Sequence, residues 1–287
     1  MGSLLGASPP STAWWANQTL KLAVHPRERV ASISGRDASL AFAGLKHDGV
    51  LIEVKGAALV LDGWLGDGRD AANLLDAYLT QGLSCFHGLR GEFAFILWDG
   101  NNDRLLGGCD ALAKRQLAYF TSRSCAAFAT RAVDLLEHPA APKKWNHTYL
   151  ADWFVGFASQ SQEATAFDGI ARCPPGCVVT WHRGIAIVER FDSIRATGQP
   201  FANVQDACAE FLRLLRESVG RYPSDSALSL SGGLDSALIV GARSALSQHR
   251  IDAFTYGSSW TRHGAEHFGV SKILKCNPSM RGHDLEL

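Results

Sequence analysis

The chain has 287 residues, of which 46% are hydrophobic and 20% charged, so it is long enough for two ordinary globular domains. Twenty-eight basic residues balance twenty-eight acidic ones, and this zero net charge disfavours a nucleic-acid or anionic-membrane partner. No stretch is apolar for the length of a membrane span, and residues 1–15 lack the basic and apolar regions of a signal peptide. We therefore expect a cytoplasmic protein.

Antiparallel hairpins dominate the first two thirds of the chain. Residues 92–99 form an apolar run that ends at a turn signal at residues 100–103. A second run, residues 104–108, follows the turn and is predicted to pair with the first as a hairpin. A second hairpin is predicted from residues 177–181 and 185–191, around a turn at 182–184. Further strands are predicted at 116–120 and 126–130, and helical periodicity covers 70–79 and 147–157.

The pattern changes near residues 192–203, which we interpret as a linker. Beyond it, apolar side chains recur on one helical face, at Cys208, Phe211, Leu212, Leu215 and Val219. A second apolar strand is predicted at 251–256, and the alternation of helix and strand indicates a parallel sheet. Residues 260–287, with Pro278 and Gly282, are predicted to be irregular. We therefore divide the chain into domains 1–195 and 196–287.

The most informative segment is Ser231-Gly232-Gly233-Leu234-Asp235-Ser236, which lies between an apolar run and a helical run. Two glycines let backbone N–H groups approach an anion, and the helix N-terminus adds its unpaired N–H groups and dipole. Ser231 and Ser236 supply hydroxyl donors, and Asp235 could hold a divalent cation on phosphate oxygens. The segment predicts a pyrophosphate cradle and therefore ATP chemistry.

Two other interpretations exist for this segment. The Walker spacing Gly-x-x-x-x-Gly-Lys-Ser/Thr is absent from the chain. A plain Ser/Gly turn between a strand and a helix would give a similar composition. The segment instead resembles the PP-loop of the ATP pyrophosphatases, which split ATP into AMP and pyrophosphate while they activate a carboxylate or carbonyl.

A β-rich domain followed by a PP-loop resembles the glutamine-dependent asparagine synthetases and their relatives, the β-lactam synthetases and lasso-peptide cyclases. The similar stretches are residues 88–99, 105–120, 174–176 and 253–257. The resemblance implies an α+β domain followed by an α/β domain. The first would be an Ntn-type αββα antiparallel sandwich. The second would be an incomplete PP-loop parallel sheet of the adenine nucleotide alpha hydrolase type.

The resemblance also implies a reaction and its ligands. A substrate carboxylate, from an amino acid or peptide, would attack ATP to give an acyl-adenylate and pyrophosphate, and an amine would then displace AMP. The cofactors would be ATP and Mg²⁺, with Asp235 as the metal residue. The residues implied to bind them are Leu230, Ser231, Gly232, Gly233, Asp235, Ser236 and Tyr256, with Leu230 and Tyr256 at positions that contact adenosine in the family.

The family's glutaminase residues have no counterpart here. That chemistry uses a cysteine as the first residue of the mature chain, whose free amine assists as a base. This chain begins Met1-Gly2-Ser3, its Asp62-Gly63-Trp64 stands where the family has Asn-Gly-Glu, and Cys109 replaces an arginine. We identify no catalytic glutaminase residue and expect a glutaminase-defective domain. β-Lactam synthetases and lasso-peptide cyclases resemble the chain in that loss, so either asparagine-type or macrolactam and natural-product amide formation is implied.

Family members continue well beyond the PP-loop, which leads us to expect a C-terminally truncated chain. Two alternatives to an active ligase follow: a non-catalytic remnant, or a subunit that depends on a missing C-terminal half or another protein. A third alternative is another PP-loop enzyme, such as a tRNA-modifying or NAD-synthesising one. The Ntn-like first domain and the neutral charge disfavour the third.

Two local patterns suggest metal chemistry, and we interpret both as incidental. Cys173 and Cys177 flank Pro-Pro-Gly, which predicts a turn because no second zinc-type pair accompanies them. His263, Glu266 and His267 fit an H-x-x-E-H pattern, but Gly264 weakens the helix that it needs. The odd count of seven scattered cysteines favours free thiols in a reducing compartment.

Overall fold

The computed structural model describes residues 3–8, 29–34, 37–44, 49–66, 68–156, 161–194, 198, 200–222, 226–246, 251–257, 265–277 and 280–286. The chain divides into two compact units, 1–195 and 196–287. Within the described ranges, no helix combines the length and apolarity that a membrane crossing requires.

Unit 1 contains two six-stranded sheets in which every neighbouring pair is antiparallel. The first sheet has the order β12-β8-β9-β1-β3-β2, formed by Ala171–Arg172, Ala118–Thr121, Ala126–Ala129, Ser3–Ser8, Ser39–Gly44 and Arg29–Ser34. The second has the order β14-β13-β7-β6-β5-β4, formed by Ile185–Arg190, Cys177–His182, Arg104–Cys109, Gly91–Asp99, Ala57–Leu65 and Gly49–Val54. Both predicted hairpins are therefore confirmed. A short pair, β10 and β11, is formed by Lys144–Trp145 and Phe167–Asp168.

Helices cover the outer face of each sheet. These are α1 (Ala71–Gln81) with the 3₁₀ turn Gly82–Phe86 on the second sheet, and α2 (Ala132–Leu135) on the first; α3 is His147–Phe154. Between the sheets lies an apolar core that includes Phe128 of β9 and Ile96 of β6. Within the described residues, three buried apolar clusters alternate with the two sheets, so the predicted antiparallel sandwich is confirmed, with α1 and the single turn α2 on its outer faces.

The start of α1 is fixed by its sequence. The Asp70 carboxylate accepts from the Asn73 N–H at 2.8 Å, and the Asn73 side chain accepts from the Asp70 N–H at 3.2 Å, which forms a reciprocal cap. Leu74 and Tyr78 face the second sheet, and the Tyr78 hydroxyl donates to Asp99 at 2.9 Å. Burial and the Asp99 carboxylate raise the pKa of Tyr78 well above its usual value, so it remains a neutral donor.

Unit 2 is built around a three-stranded parallel sheet. Its strands are β15 (Leu228–Ser229), β16 (Ile251–Gly257) and β17 (Met280–Glu286), in that order. Its helices are α4 (Val204–Gly220), α5 (Leu234–Leu246) and α6 (Ala265–Cys276). Among the described residues, its buried core consists of six side chains, Leu230, Val240, Ile251, Ala253, Val270 and Met280. The amphipathic helix α4 has the predicted periodicity but no buried residue.

The prediction that residues 260–287 are irregular is wrong for the part that the structure describes. This part contains α6 and β17, and β17 pairs with β16 from Met280 to Glu286. Gly282, which favoured an irregular chain, lies where α6 and β17 meet closely: a Cβ there would come within 2.6 Å of the Leu274 side chain. The glycine permits helix–strand packing rather than interrupting the strand.

Candidate nucleotide site and amidotransferase pocket

The glycine loop begins at the carboxyl end of β15, in a parallel sheet where ligand sites commonly lie. The Leu230 N–H donates to the Phe254 carbonyl at 2.9 Å, and the Thr255 hydroxyl donates to the Leu230 carbonyl at 3.0 Å. The chain then turns at Gly232, whose φ of +78° is available to glycine at low cost. These contacts hold the loop between the strand and α5.

Two predicted hydroxyls stabilise the loop in its present form. The Ser231 hydroxyl accepts from the Gly233 N–H at 3.3 Å and lies 3.2 Å from the Ser236 hydroxyl, which donates to the Gly233 carbonyl at 3.0 Å. Ser231, Gly233 and Asp235 are exposed. The arrangement leaves hydroxyl and backbone donors, together with the Asp235 carboxylate, accessible at the start of a thirteen-residue helix.

The loop also rests against α6. A Cβ at Gly269 would come within 2.6 Å of the Gly232 carbonyl oxygen, so the two backbones meet without room for a side chain. Nothing in the sequence around Gly269 predicted this contact, because the residue lies far from the loop along the chain. Gly269 is therefore a positioning residue for the loop that the sequence analysis missed.

The predicted adenosine residues differ in what the structure shows. The Leu230 side chain is 1% exposed and belongs to the unit 2 core, so only its backbone borders the loop. Tyr256 lies in β16 opposite Leu285, and its side chain is outside the described residues. Within the described ranges, no three His, Cys, Asp or Glu side chains form a metal-binding group. His263 and the side chains of Glu266 and His267 lie outside the described residues.

In unit 1 a cavity of about 420 Å³ opens beside the first residue of β1. Its lining is formed by Ser3, Asp62, Lys114, Arg115, Gln116, Thr130 and Arg131. Asp62 is buried and pairs with Arg115 at 3.3 Å. Among the described residues, the side chains that line this cavity include no cysteine or histidine.

Asp110 orders the loop that carries the basic residues of this cavity. Its buried carboxylate accepts from the backbone N–H groups of Leu112 and Lys114 at 3.0 and 3.3 Å, and from Phe93 and Arg115 at 3.3 and 3.4 Å. This carboxylate therefore fixes the loop that carries Lys114, Arg115 and Gln116. An aspartate directly after a strand favours such a turn, and that signal was available in the sequence.

The positions that depart from the family's glutaminase pattern serve structural roles. Cys109 is fully buried, and its thiol donates to the Cys173 and Pro174 carbonyls at 3.6 and 3.5 Å. Trp64 lies in β5 opposite Glu92. Cys85 packs in the core beneath α1, where burial raises the pKa of its thiol to about 12. It is therefore a neutral thiol at physiological pH and a poor nucleophile.

Comparison with known proteins assigns the class of unit 1. Residues 65–192 match the family model described as a glutamine amidotransferase domain. These residues, which make up less than half of the chain, are thus similar to a glutamine amidotransferase domain, and the relatives include an asparagine synthetase.

Individual relatives give the same picture. The chain is 27% identical over 174 residues to asparagine synthetase [glutamine-hydrolyzing] 3 of Bacillus subtilis, covering 60% of this chain and 28% of that protein. It is 27% identical over 187 residues to amidase chry2 of Gibberella zeae, covering 60% of this chain and 26% of the relative. It therefore spans little more than a quarter of the length of either.

Two solved structures are also similar. Glutamine phosphoribosylpyrophosphate amidotransferase from B. subtilis, complexed with ADP and GMP, is 11% identical with a TM-score of 0.40, covering 95% of this chain and 64% of that one. A structure described as the allosteric regulatory enzyme of purine biosynthesis is 12% identical with a TM-score of 0.36, covering 99% of this chain and 80% of that one.

Proposed function

We propose that this protein functions as an asparagine synthetase-like, AMP-forming amide ligase whose amidotransferase domain does not hydrolyse glutamine. The observation that carries the proposal is the exposed glycine loop at the carboxyl end of β15, in the same chain as an amidotransferase domain of this family. A cytoplasmic location remains part of the proposal.

The loop is suited to the phosphates of ATP for electrostatic reasons. Backbone N–H groups at the start of α5 and the helix dipole favour an anion at this position. The Ser231 and Ser236 hydroxyls now contact each other at 3.2 Å, and each can rotate to donate to a phosphate oxygen instead. Asp235 would hold Mg²⁺ by a single carboxylate, with phosphate oxygens and water as the remaining ligands.

The proposed reaction proceeds in two substitutions. A substrate carboxylate oxygen attacks the α-phosphorus of ATP, and pyrophosphate leaves from the Ser231–Ser236 loop. The amine nitrogen then attacks the acyl carbon, loses a proton and expels AMP. The protein's contribution at this loop is stabilisation of the negative charge that develops on the phosphates. The acid is an amino acid or a peptide.

Loss of glutaminase activity is supported by the unit 1 cavity. The buried Asp62 carboxylate is paired with Arg115, and Trp64 stands where the family has the glutamate. Cys109 and Cys85 are buried in cores and do not line the cavity. The amine for ligation would then come from the second substrate and not from glutamine.

Ammonia release tests this part of the proposal. The purified protein is incubated with glutamine, and ammonia is compared with the Cys85→Ala and Ser3→Ala variants. We expect background release from all three proteins. Glutamine-dependent ammonia from the wild type at enzymatic rates would contradict the proposal, and loss of that activity in one variant would identify the nucleophile.

Pyrophosphate exchange tests the ligase itself. Labelled pyrophosphate enters ATP only when an acid is activated reversibly, so a panel of amino acids and peptides reports the substrate class. Asp235→Asn should reduce the exchange because the metal loses its charged ligand. Asp103→Asn is the matched control, since Asp103 lies in an exposed turn of unit 1 with φ of +52°, which asparagine tolerates. Exchange that survives Asp235→Asn unchanged would argue against this site.

A partner-dependent subunit is the second candidate function. The observation that favours it is α4, whose Phe211, Leu212 and Leu214 are 54%, 37% and 49% exposed. Exposed apolar helix faces of this kind often bind another polypeptide. Nucleotide binding without any pyrophosphate exchange would favour this candidate over an autonomous ligase.

A further inference from the structure

A second cavity in unit 1 contains a guanidinium held in place by a tyrosine. The cavity measures about 280 Å³ and is lined by Gln116, Ala118, Thr130, Arg131, Ala132, Tyr149, Thr165, Ala166, Phe167 and Arg172. The Arg172 Nη2 donates to the Tyr149 hydroxyl at 3.1 Å, and its guanidinium carbon lies 5.7 Å from the centre of the Tyr149 ring. Hydrogen bond and cation–π contact together restrict the arginine to one orientation.

The two arginines of the cavity differ in charge compensation. Arg131 donates from Nε and Nη2 to Asp134 at 2.9 and 2.6 Å, so its charge is largely neutralised. Arg172 forms no ion pair with a carboxylate among the described residues, and its backbone N–H donates to the Glu163 carbonyl at 2.7 Å. Arg172 is half-buried. Within the described part of the chain, its charge therefore lacks a carboxylate partner, and its guanidinium has N–H groups that Tyr149 does not use.

The remaining walls restrict what can bind beside this charge. Ala118, Ala132 and Phe167 provide an apolar surface. Gln116 and Thr130 add polar groups, and both residues also line the 420 Å³ cavity that contains Asp62. The volume lies just below the roughly 300–1,000 Å³ of sites for drug-sized ligands, which favours a small occupant. A carboxylate matches the planar guanidinium fork with two parallel hydrogen bonds.

We propose that this cavity binds a small carboxylic acid with an apolar substituent, such as an amino acid derivative or a peptide C-terminus, anchored by Arg172. Tyr149 holds the guanidinium before the ligand arrives, so binding orders little more of the protein. The apolar walls receive the substituent. The proposal concerns unit 1 alone and does not depend on the nucleotide chemistry of unit 2.

Calorimetric titration of the full chain with three probes tests the ligand chemistry. These are N-acetyl-L-leucine, its uncharged amide N-acetyl-L-leucinamide, and inorganic phosphate, each at millimolar concentration. We expect the acid to bind and the amide to bind at least about tenfold more weakly, because a charge-assisted pair is lost. Equal binding of acid and amide, binding of phosphate alone, or no binding of the acid would overturn the proposal. This comparison uses only the wild-type protein.

Substitutions in the cavity then test whether Arg172 anchors the carboxylate of the ligand. Arg172→Met should weaken binding of the acid by at least about tenfold, and Tyr149→Phe, which removes only the hydroxyl, should weaken it by a few fold. Arg183→Gln is the matched control, since it removes an exposed guanidinium from a turn outside the cavity. Thermal melting confirms that each variant is folded. Undiminished affinity in a folded Arg172→Met protein would exclude Arg172 as the anchor.

Discussion

The two units differ in how much apolar surface their elements bury. Unit 1 has three separate cores, one between its sheets and one beneath each helical layer. The described residues of unit 2 form one six-residue core, and their longest helix, α4, buries no side chain. Burial of apolar area is the dominant favourable term in folding, so unit 1 is expected to be the more stable unit.

Because of this difference, we interpret unit 1 as a scaffold and unit 2 as the candidate binding element. The glycine loop lies in the sparsely packed unit, where a strand of two residues, β15, leads into it. Loops that bind ligands are commonly drawn from the less stable parts of a protein. Unit 1, by contrast, has three buried apolar clusters within the part of the chain that the structure describes.

The largest contrast should come from the same substitution in each unit. Phe86 is fully buried and stacks on Phe95 with centroids 4.7 Å apart, whereas Phe211 of α4 is 54% exposed. Phe86→Ala should destabilise unit 1 by about 3–5 kcal/mol through the cavity it leaves. Phe211→Ala should change stability by no more than about 0.5 kcal/mol.

Hydrogen exchange measured on peptides from β6 and β16 separates these two effects. The first variant should accelerate exchange in β6, and the second should leave both strands unchanged. A large loss of protection in Phe211→Ala would mean that α4 is covered in the protein in solution.

A pair of glycines sharpens the comparison within unit 2. A Cβ at Gly269 would meet the Gly232 carbonyl oxygen at 2.6 Å, whereas a Cβ at Gly241 of α5 would meet nothing within 4 Å. Gly269→Ala should therefore cost about 1–3 kcal/mol, because the loop or α6 must shift. Gly241→Ala should stabilise by about 0.5–1 kcal/mol, the usual helix preference for alanine. Urea unfolding measures the change in the free energy of unfolding for both variants, and the prediction is wrong if the two changes have the same sign.

The buried Asp110 carboxylate gives a smaller, local effect in unit 1. Asparagine offers one acceptor oxygen where aspartate offers two, so Asp110→Asn should leave two backbone N–H groups poorly satisfied, at about 1–2 kcal/mol. Exchange should accelerate in residues 110–116. Asp168→Asn, at an exposed position of β11, is the control. Protection of 110–116 equal to the wild type would show that the carboxylate does not order this loop.

The smallest expected effect is a pH dependence of the free energy of unfolding that is caused by His138. Burial lowers the pKa of this histidine, and its Nδ1 accepts from the Ala140 N–H at 3.1 Å. Below about pH 6.5 the histidine of the unfolded chain takes up a proton, whereas that of the folded protein stays neutral. The free energy of unfolding is therefore at its full value above about pH 6.5, and it falls as the pH drops toward the lowered pKa of the folded protein. Urea midpoints at pH 7.5 and 5.5 should show a smaller loss in His138→Asn. An equal loss would assign the acid sensitivity elsewhere.

Local patterns account for the parts of the fold that sequence predicts well. The hairpin of residues 91–109 joins adjacent apolar runs through a short turn, so its pairing is visible in one window of sequence. The first sheet is different: β1 pairs with β9 through Leu5 and Ala129, and no local pattern encodes such a distant partner. In unit 2, Gly282 favoured an irregular chain although it permits close packing on Leu274.

The same distinction applies to the candidate sites. The glycine loop is predictable because six contiguous residues carry its chemistry. The Asp62–Arg115 pair and the Arg172–Tyr149 contact depend on residues that only the folded sheets bring together. Asp110 is intermediate between these two kinds of site. Its turn-forming bond to the Leu112 N–H joins neighbouring residues, whereas its bond to the Phe93 N–H joins residues that are distant in sequence.

A titration of the protein with ATP, with and without Mg²⁺, tests the central claim that the Ser231–Ser236 loop binds the nucleotide. Gly232→Val places a β-branched side chain where φ is +78°, and Gly241→Ala serves as a folded control in the helix that follows. We expect Mg²⁺-enhanced binding to the wild type and to Gly241→Ala, and a loss of at least about tenfold in Gly232→Val. Equal ATP affinity in all three proteins would contradict this claim.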